Sequence, residues 1–236
     1  MKNKFVKTNN VIKMIGALGE LEKKKHQMKS KGLALIHGHP GYGKTEACHW
    51  YAVQHNAVYV RACAVWTASA MLRKIATDME LEECSSGAAN FNNIKEGLKN
   101  NPRSIFVDEA DYIVRDWRML ETLRDLQDTT GTPIVLIGMV RIADAIARKF
   151  PQFWSRISQN VEFTPLSAED VQIIGAELAD LSLPVNIAGQ IQRQTGGNFR
   201  QTVVLLSHLE TMCKTNKAEV SEKIVEMAAR GLRAVG

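Results

Sequence analysis

The sequence predicts an α/β fold: a five-stranded parallel sheet with helices on both faces, followed by a small all-helical subdomain. Three observations carry this expectation. Continuous apolar runs (Leu33-Ala34-Leu35-Ile36, Ala57-Val58-Tyr59-Val60, Ser104-Ile105-Phe106-Val107 and Ile134-Val135-Leu136-Ile137) alternate with stretches of helical spacing, as parallel strands covered on both faces do. A complete G-x-x-x-x-G-K-[ST] run, Gly38-His39-Pro40-Gly41-Tyr42-Gly43-Lys44-Thr45, directly follows the first of these strands. Beyond Pro165 no strand pattern recurs.

Taken in order, Val11, Ile12, Met14, Ile15, Leu18 and Leu21 recur at helical spacing and predict an amphipathic helix. Lys23-Lys24-Lys25 ends it, a lysine run that complements the helix dipole and reads as a solvated face, with DNA contact the less favoured alternative. A helix begins near Gly43, the second strand leads into a helix over residues 67–79, and a short helix over 90–99 precedes the third strand. Met119, Leu120, Leu123 and Leu126 give one helical face, which Gly131-Thr132-Pro133 breaks before the fourth strand. A short fifth strand over 160–163 closes this part at Pro165. Ser167-Ala168-Glu169-Asp170 then reads as a helix start, Pro184 suits the first turn of a second helix, Gly196-Gly197-Asn198 precedes a third, and 220–229 forms a fourth. The expected division is an amino-terminal helical segment (1–31), an α/β core (32–165) and a helical subdomain (166–236).

Composition narrows the function classes. Hydrophobic residues make up 45% of the 236, enough to fill a core, and no apolar run approaches the roughly 18 residues that a membrane span needs. The start of the chain lacks the apolar block of a signal peptide, so a cytoplasmic location and no membrane partner are expected. Cys48, Cys63, Cys84 and Cys213 are scattered without a C-x-x-C pair, which argues against a zinc site or a disulfide framework. The net charge of +5 permits an acidic partner such as nucleic acid and by itself decides nothing.

The glycine-rich run points to nucleotide binding. Glycines at its bends let backbone N–H groups turn inward around phosphate oxygens, and the following helix aims its positive end at the same anion. Lys44 would reach the β- and γ-phosphates, Thr45 would ligate Mg²⁺, and Glu46 completes the candidate set with the loop residues. The competing reading is an ordinary glycine-rich turn. The third strand ends in Asp108-Glu109-Ala110-Asp111. A strand emerging beside the phosphate loop would bring Asp108 to the Mg²⁺ shell and let Glu109 polarise an attacking water.

With these motifs in place the chain resembles the AAA+ ATPases over almost all of its length. The resemblance implies an α/β core with a helical lid, ATP and Mg²⁺ as cofactors, and hydrolysis that is slow and stimulated by DNA or a partner. It also implies an arginine finger at Arg156, in Phe153-Trp154-Ser155-Arg156, acting on a neighbouring subunit's ATP, with Arg148 its rival. Arg200, in Gly197-Asn198-Phe199-Arg200, is similar to the sensor 2 arginine. The fourth strand departs from the family, because Gly138 and Met139 stand where a polar sensor 1 residue is usual.

Within the superfamily the chain looks most like the DNA-transposition ATPases of the phage Mu protein B and TnsC type. That likeness rests on the compact lid, the lone amino-terminal helix, the Gly138 strand ending and Arg61-Ala62-Cys63-Ala64-Val65-Trp66-Thr67. It implies a bacterial, phage or mobile-element source, self-association into rings or helical filaments on duplex DNA without sequence preference, and a transposase partner. By position it places Trp66, Thr67, Ser69, Arg73 and Lys74 against DNA. The competing readings are a solvated helix face for Arg73 and Lys74 and a packing role for Trp66. A helicase loader or replication initiator shares every motif, and a nucleotide-dependent scaffold with negligible turnover suits the non-polar sensor 1 position.

Overall fold

The computed structural model describes residues 1–2, 4–23 and 32–233, so Lys24 and Lys25 of the expected lysine run lie outside the described residues. The elements are α1 (Asn9–Lys23), β1 (Leu33–Gly38), α2 (Lys44–Gln54), β2 (Val58–Arg61), α3 (Ala68–Asp78), α4 (Gly87–Asn100) and β3 (Ile105–Asp108). A 3₁₀ turn (Ile113–Arg115) then leads to α5 (Trp117–Thr130), β4 (Ile134–Met139), α6 (Ile142–Lys149), α7 (Pro151–Trp154) and β5 (Ile157–Phe163). Four helices follow, α8 (Ala168–Ala179), α9 (Val185–Thr195), α10 (Phe199–Asn216) and α11 (Glu222–Arg233). Contacts divide the chain into two compact units, Lys13–His39 with Lys44–Glu162, and Met1–Ile12 with Pro40–Gly43 and Phe163–Gly236.

The first unit holds the sheet, five strands in the order β2-β3-β4-β1-β5. The pairs β2/β3, β3/β4 and β4/β1 are parallel, with Leu33 opposite Ile134, Ile105 opposite Ile134 and Arg61 opposite Asp108. β4 is inserted between β1, which leads into the phosphate loop, and β3, which ends in Asp108, an order that the sequence reading left unspecified. Apolar runs of similar character carry no information about their lateral order, and the chain reaches β4 only after α5.

Alternation along the strands builds the core. Leu33, Leu35, Val58, Val60, Ile105, Val107, Ile134 and Leu136 share one buried cluster with Met71 and Ile75 of α3, Ile94 of α4, Leu120 and Leu123 of α5 and Phe153 of α7. Alternate residues, including Ile36, Phe106 and Ile137, are buried as well, and on their side the Tyr51 ring of α2 lies 6.1 Å from that of Phe106. Fully burying an aliphatic or phenyl side chain is worth about 1.5–3 kcal/mol. α4 starts three residues before the expected 90, because the Ser86 side chain caps it by accepting from Ala89 N–H. β5 starts at Ile157 because its exposed and half-exposed polar residues, among them Ser158, Gln159 and Asn160, suit a sheet edge. No helix was expected over 142–154, and α6 buries only Ile142 and Ile146.

The second unit packs α8 to α11 around Val171, Ile174, Leu206, Leu209 and Val225, with Val6 from the amino-terminal stretch in the same cluster. The helix start at Ser167 is a capping box with Asp170. Asp170 also accepts from Asn9 N–H at 2.7 Å, and the Asn10 amide donates to the Thr164 carbonyl at 2.7 Å. Gly196 ends α9 in the left-handed conformation.

Candidate nucleotide site

Buried β1 delivers the chain to the loop, and two glycines let it turn: Gly41 at φ +79 and Gly43 at φ +87 occupy a region that strains L side chains. A Cβ on Gly41 would lie 2.6 Å from the Asn198 amide. That amide donates to the Pro40 carbonyl at 3.0 Å, and Arg200 N–H donates to the Gly41 carbonyl at 3.0 Å. His39, Pro40, Thr45 and Glu46 are exposed, whereas Tyr42 is half-buried.

Lys44 opens α2 and is buried, its Nζ donating to the carbonyls of Gly38 at 2.7 Å and His39 at 2.9 Å. Burial pulls its pKa below the usual lysine range, outweighing the opposite pull of the carboxylates of Asp108, Asp111 and Glu109. A buried ammonium that opens the helix following the glycine-rich loop suits a polyphosphate.

Asp108 ends β3 with 3% of its surface exposed. Both oxygens accept hydrogen bonds, one from the Tyr59 hydroxyl at 2.9 Å and the other from Glu109 N–H at 2.8 Å, which fixes the carboxylate's orientation. Burial and the neighbouring Asp108 charge push the Tyr59 phenol well above its ordinary pKa, so it remains a donor. The Thr45 hydroxyl and the Asp108 carboxylate are oxygen donors of the kind that Mg²⁺ takes. Sequence reasoning missed Tyr59 because it sits in an apolar run, and its hydroxyl was the only signal.

Glu109 adopts φ +54, a left-handed conformation that costs a residue of this kind about 1–2 kcal/mol. The turn is held by Ala110 N–H donating to the Ile137 carbonyl at 2.8 Å and Tyr112 N–H to the Glu109 carbonyl at 3.0 Å. Arg61 at the end of β2 lies 3.3 Å from the Glu109 carboxylate. Asp111 accepts from Met139 N–H at 2.8 Å and so pins the end of β4. A Cβ at Gly138 would come within 2.5 Å of Ile142 Cδ1 and 2.8 Å of Asp111 Oδ2, which explains glycine there. In register with Gly138 on β1 is His37, 6% exposed, with neither ring nitrogen hydrogen-bonded.

The other candidates fall at separate places. Arg156 stands just before β5, its guanidinium 3.4 Å from Asp128. Arg148 is exposed in the last turn of α6 and donates to the Asp144 carbonyl of the same helix. Arg200 is exposed in the first turn of α10. Trp66 packs partly against the sheet core, Thr67 caps α3 by accepting from Ala70 N–H, and Ser69 lies within 3.2 Å of where a Gly87 Cβ would stand. Arg73 is exposed, and Lys74 pairs with Asp78 at 2.5 Å.

The family model described as an AAA domain matches residues 26–146, just over half of the chain. The chain belongs to this AAA family. Among relatives, it is 25% identical over 181 residues to the Mu-like prophage FluMu DNA transposition protein B of Haemophilus influenzae, covering 71% of this chain and 61% of that protein. It is 26% identical over 153 residues to the ATP-dependent target DNA activator B of Escherichia phage D108, covering 61% of this chain and 48% of the relative. The chain thus spans about half to three fifths of these relatives' length. Among solved structures, the Aeropyrum pernix ORC2 protein in its ADPNP–ADP complexes superposes with a TM-score of 0.70 at 16% identity, over 98% of this chain and 70% of that one. At that identity the likeness is one of AAA fold. Among the described residues no helix is long and apolar enough to cross a membrane.

Proposed function

We propose that this protein is an ATP-hydrolysing, DNA-binding AAA+ regulator of transposition that assembles as a ring or filament on duplex DNA and recruits or activates a transposase. The names of the relatives, a DNA transposition protein B and a target DNA activator B, support this reading. The observation that carries it is the Arg61–Glu109 ion pair, since Arg61 begins the stretch leading to residues 66–74 and Glu109 is the candidate water-activating carboxylate. In this reading the pair links the chain that leads to the candidate DNA residues with the candidate water-activating carboxylate.

Residues 32–165 form the ATPase core in this reading and 166–236 the lid. Bound ATP with Mg²⁺ supplies the phosphoryl group to be transferred and a cation to offset its charge. The loop N–H groups and Lys44 bind the phosphates, Thr45 and Asp108 hold the metal, and Tyr59 keeps Asp108 in position. Glu109 accepts the proton of the attacking water. Arg200 of the same subunit and Arg156 of a neighbouring one neutralise charge that develops on the phosphoryl oxygens. A nucleotide-dependent scaffold with little turnover is the second reading, favoured by the non-polar end of β4 at Gly138 and Met139.

The direct test is fluorescence anisotropy with duplex DNA across salt concentrations in ATP, ADP and no nucleotide. Binding is expected to need ATP and to weaken steeply with salt. Replacing Arg73 and Lys74 together with alanine should remove about two units of log–log slope, at about 0.9 per phosphate contact. Equal binding in all three nucleotide states would remove the ATP-gated reading.

The ion pair gives a second expected result. Arg61→Ala should raise hydrolysis in the absence of DNA and reduce the further stimulation by DNA. An exposed pair of this kind is worth about 0.2–1 kcal/mol, so the basal rate should rise by about 1.4- to 5-fold in a phosphate-release assay. A basal rate that fell would mean that Arg61 supports Glu109 rather than restrains it.

A further inference from the structure

We propose that His37 is a positioning residue for hydrolysis, its imidazole tied through one water to the Asp111 carboxylate so that the turn bearing Glu109 is held against the end of β1. This rests on the hydrolysing reading above and adds a residue to it.

The register of the sheet puts the two side chains on one face. Leu33 and Leu35 of β1 share a buried cluster with Ile134 and Leu136, their partners on β4. Side chains alternate along a strand, so His37 and its partner Gly138, two residues further on, address that same face. A Cβ built on Gly138 gives the same direction, since it would meet Ile142 of the cluster and lie 2.8 Å from Asp111 Oδ2. Glycine leaves that space to the carboxylate. One strand spacing, about 4.8 Å, separates His37 from the position beside which Asp111 stands, a gap that a single water spans.

Chemistry selects Asp111 as the partner. His37 is buried with neither ring nitrogen hydrogen-bonded, and a polar group left so in an apolar setting is destabilising. The cluster on this face offers it Leu35, Leu136, Ile113 and Ile142, none of which bonds an imidazole. Asp111 brings an oxygen that already accepts from Met139 N–H at 2.8 Å and has a second lone pair to give. A neutral imidazole donates through one nitrogen, and a water passes that donation on to the carboxylate.

The link joins three strand ends. His37 precedes Gly38, whose carbonyl accepts from Lys44 Nζ at 2.7 Å, and Asp111 holds the end of β4 through Met139. Asp111 also lies two residues past Glu109, in the turn that sets the left-handed backbone of that carboxylate. Removing the imidazole would loosen Asp111 and the turn while leaving Lys44 and its carbonyl partners in place. The rate of hydrolysis, rather than the affinity for ATP, is therefore the quantity that responds.

The experiment is steady-state ATP hydrolysis beside equilibrium binding of a fluorescent ATP analogue, measured on the full chain. His37→Leu should lower kcat about 10- to 100-fold, the worth of one hydrogen bond to a charged group, with analogue affinity unchanged and the melting temperature no lower. His37→Gln keeps a donor and an acceptor and should recover most of the rate. Because the effect runs through Asp111, the double variant His37→Leu/Asp111→Asn should be no slower than Asp111→Asn alone. An unchanged kcat in His37→Leu, while the unaltered chain hydrolyses ATP, would overturn the role and leave the proposed function standing. So would losses that multiply in the double variant, or a rate loss accompanied by a lower melting temperature, which marks a structural role. Absence of hydrolysis by the unaltered chain would remove both.

Discussion

Replacing Arg156 with alanine should lower ATP hydrolysis by the assembled protein about 10³-fold or more, in the range found for arginine fingers, while ATP binding stays intact. The sheet supplies the reason. Arg156 precedes the first residue of β5, at the amino edge of a parallel sheet, whereas the phosphate loop follows the last residue of β1 at the carboxyl edge. A strand of seven residues such as β5 spans about 20 Å at roughly 3.3 Å per residue. An arginine side chain does not cover that distance, so a finger role for Arg156 requires a contact with another copy. Mixing Arg156→Ala protein with Lys44→Ala protein should therefore recover part of the activity, because some mixed contacts pair an intact loop with an intact finger. The rival role is a structural ion pair with Asp128, 3.4 Å away. Under that role Asp128→Ala would match Arg156→Ala, whereas a finger predicts near-normal turnover for Asp128→Ala. No recovery in mixtures of folded, co-assembling variants would count against action in trans.

Glu109→Gln should reduce the single-turnover rate by about 10²- to 10⁴-fold, the usual contribution of a positioned general base, and retain bound ATP. Lys44→Ala should instead weaken nucleotide binding itself, since the buried ammonium is the candidate phosphate ligand and its carbonyl partners at Gly38 and His39 lose their donor. Equilibrium binding of a fluorescent ATP analogue beside phosphate release separates the two effects. Wild-type turnover in Glu109→Gln would end the assignment of Glu109. The left-handed backbone at that position adds a further expectation, that the residue's orientation is set by the turn rather than by rotamer choice.

The parts of this site that the sequence revealed are local ones. The loop from Gly38 to Thr45 declares itself because its conformation depends on glycines at fixed offsets within eight residues. The Asp108-Glu109 pair declares itself because acids end a buried strand. Tyr59 and Asp111 did not, for a physical reason: their partners are chosen by lateral strand order. Tyr59 reaches Asp108, 49 positions away, because β2 lies beside β3, and Asp111 pins Met139 because β4 lies beside β3. Arg61 belongs to the same class. α6 escaped notice because two buried isoleucines make too short a periodic signal, and β5 was read too short because its polar residues resemble a loop until a sheet edge is there to receive them.

The insertion of β4 between β1 and β3 works as a spacer. Two strand spacings, about 10 Å, separate the strand that carries the phosphate loop from the strand that carries Asp108. That width is set by backbone hydrogen bonds and not by the sizes of side chains. Trimming Leu136 or Ile137 would open a void and cost stability, yet it would leave the gauge between loop and carboxylate nearly unaltered. The volume of the core can therefore change while the separation of the two motifs holds.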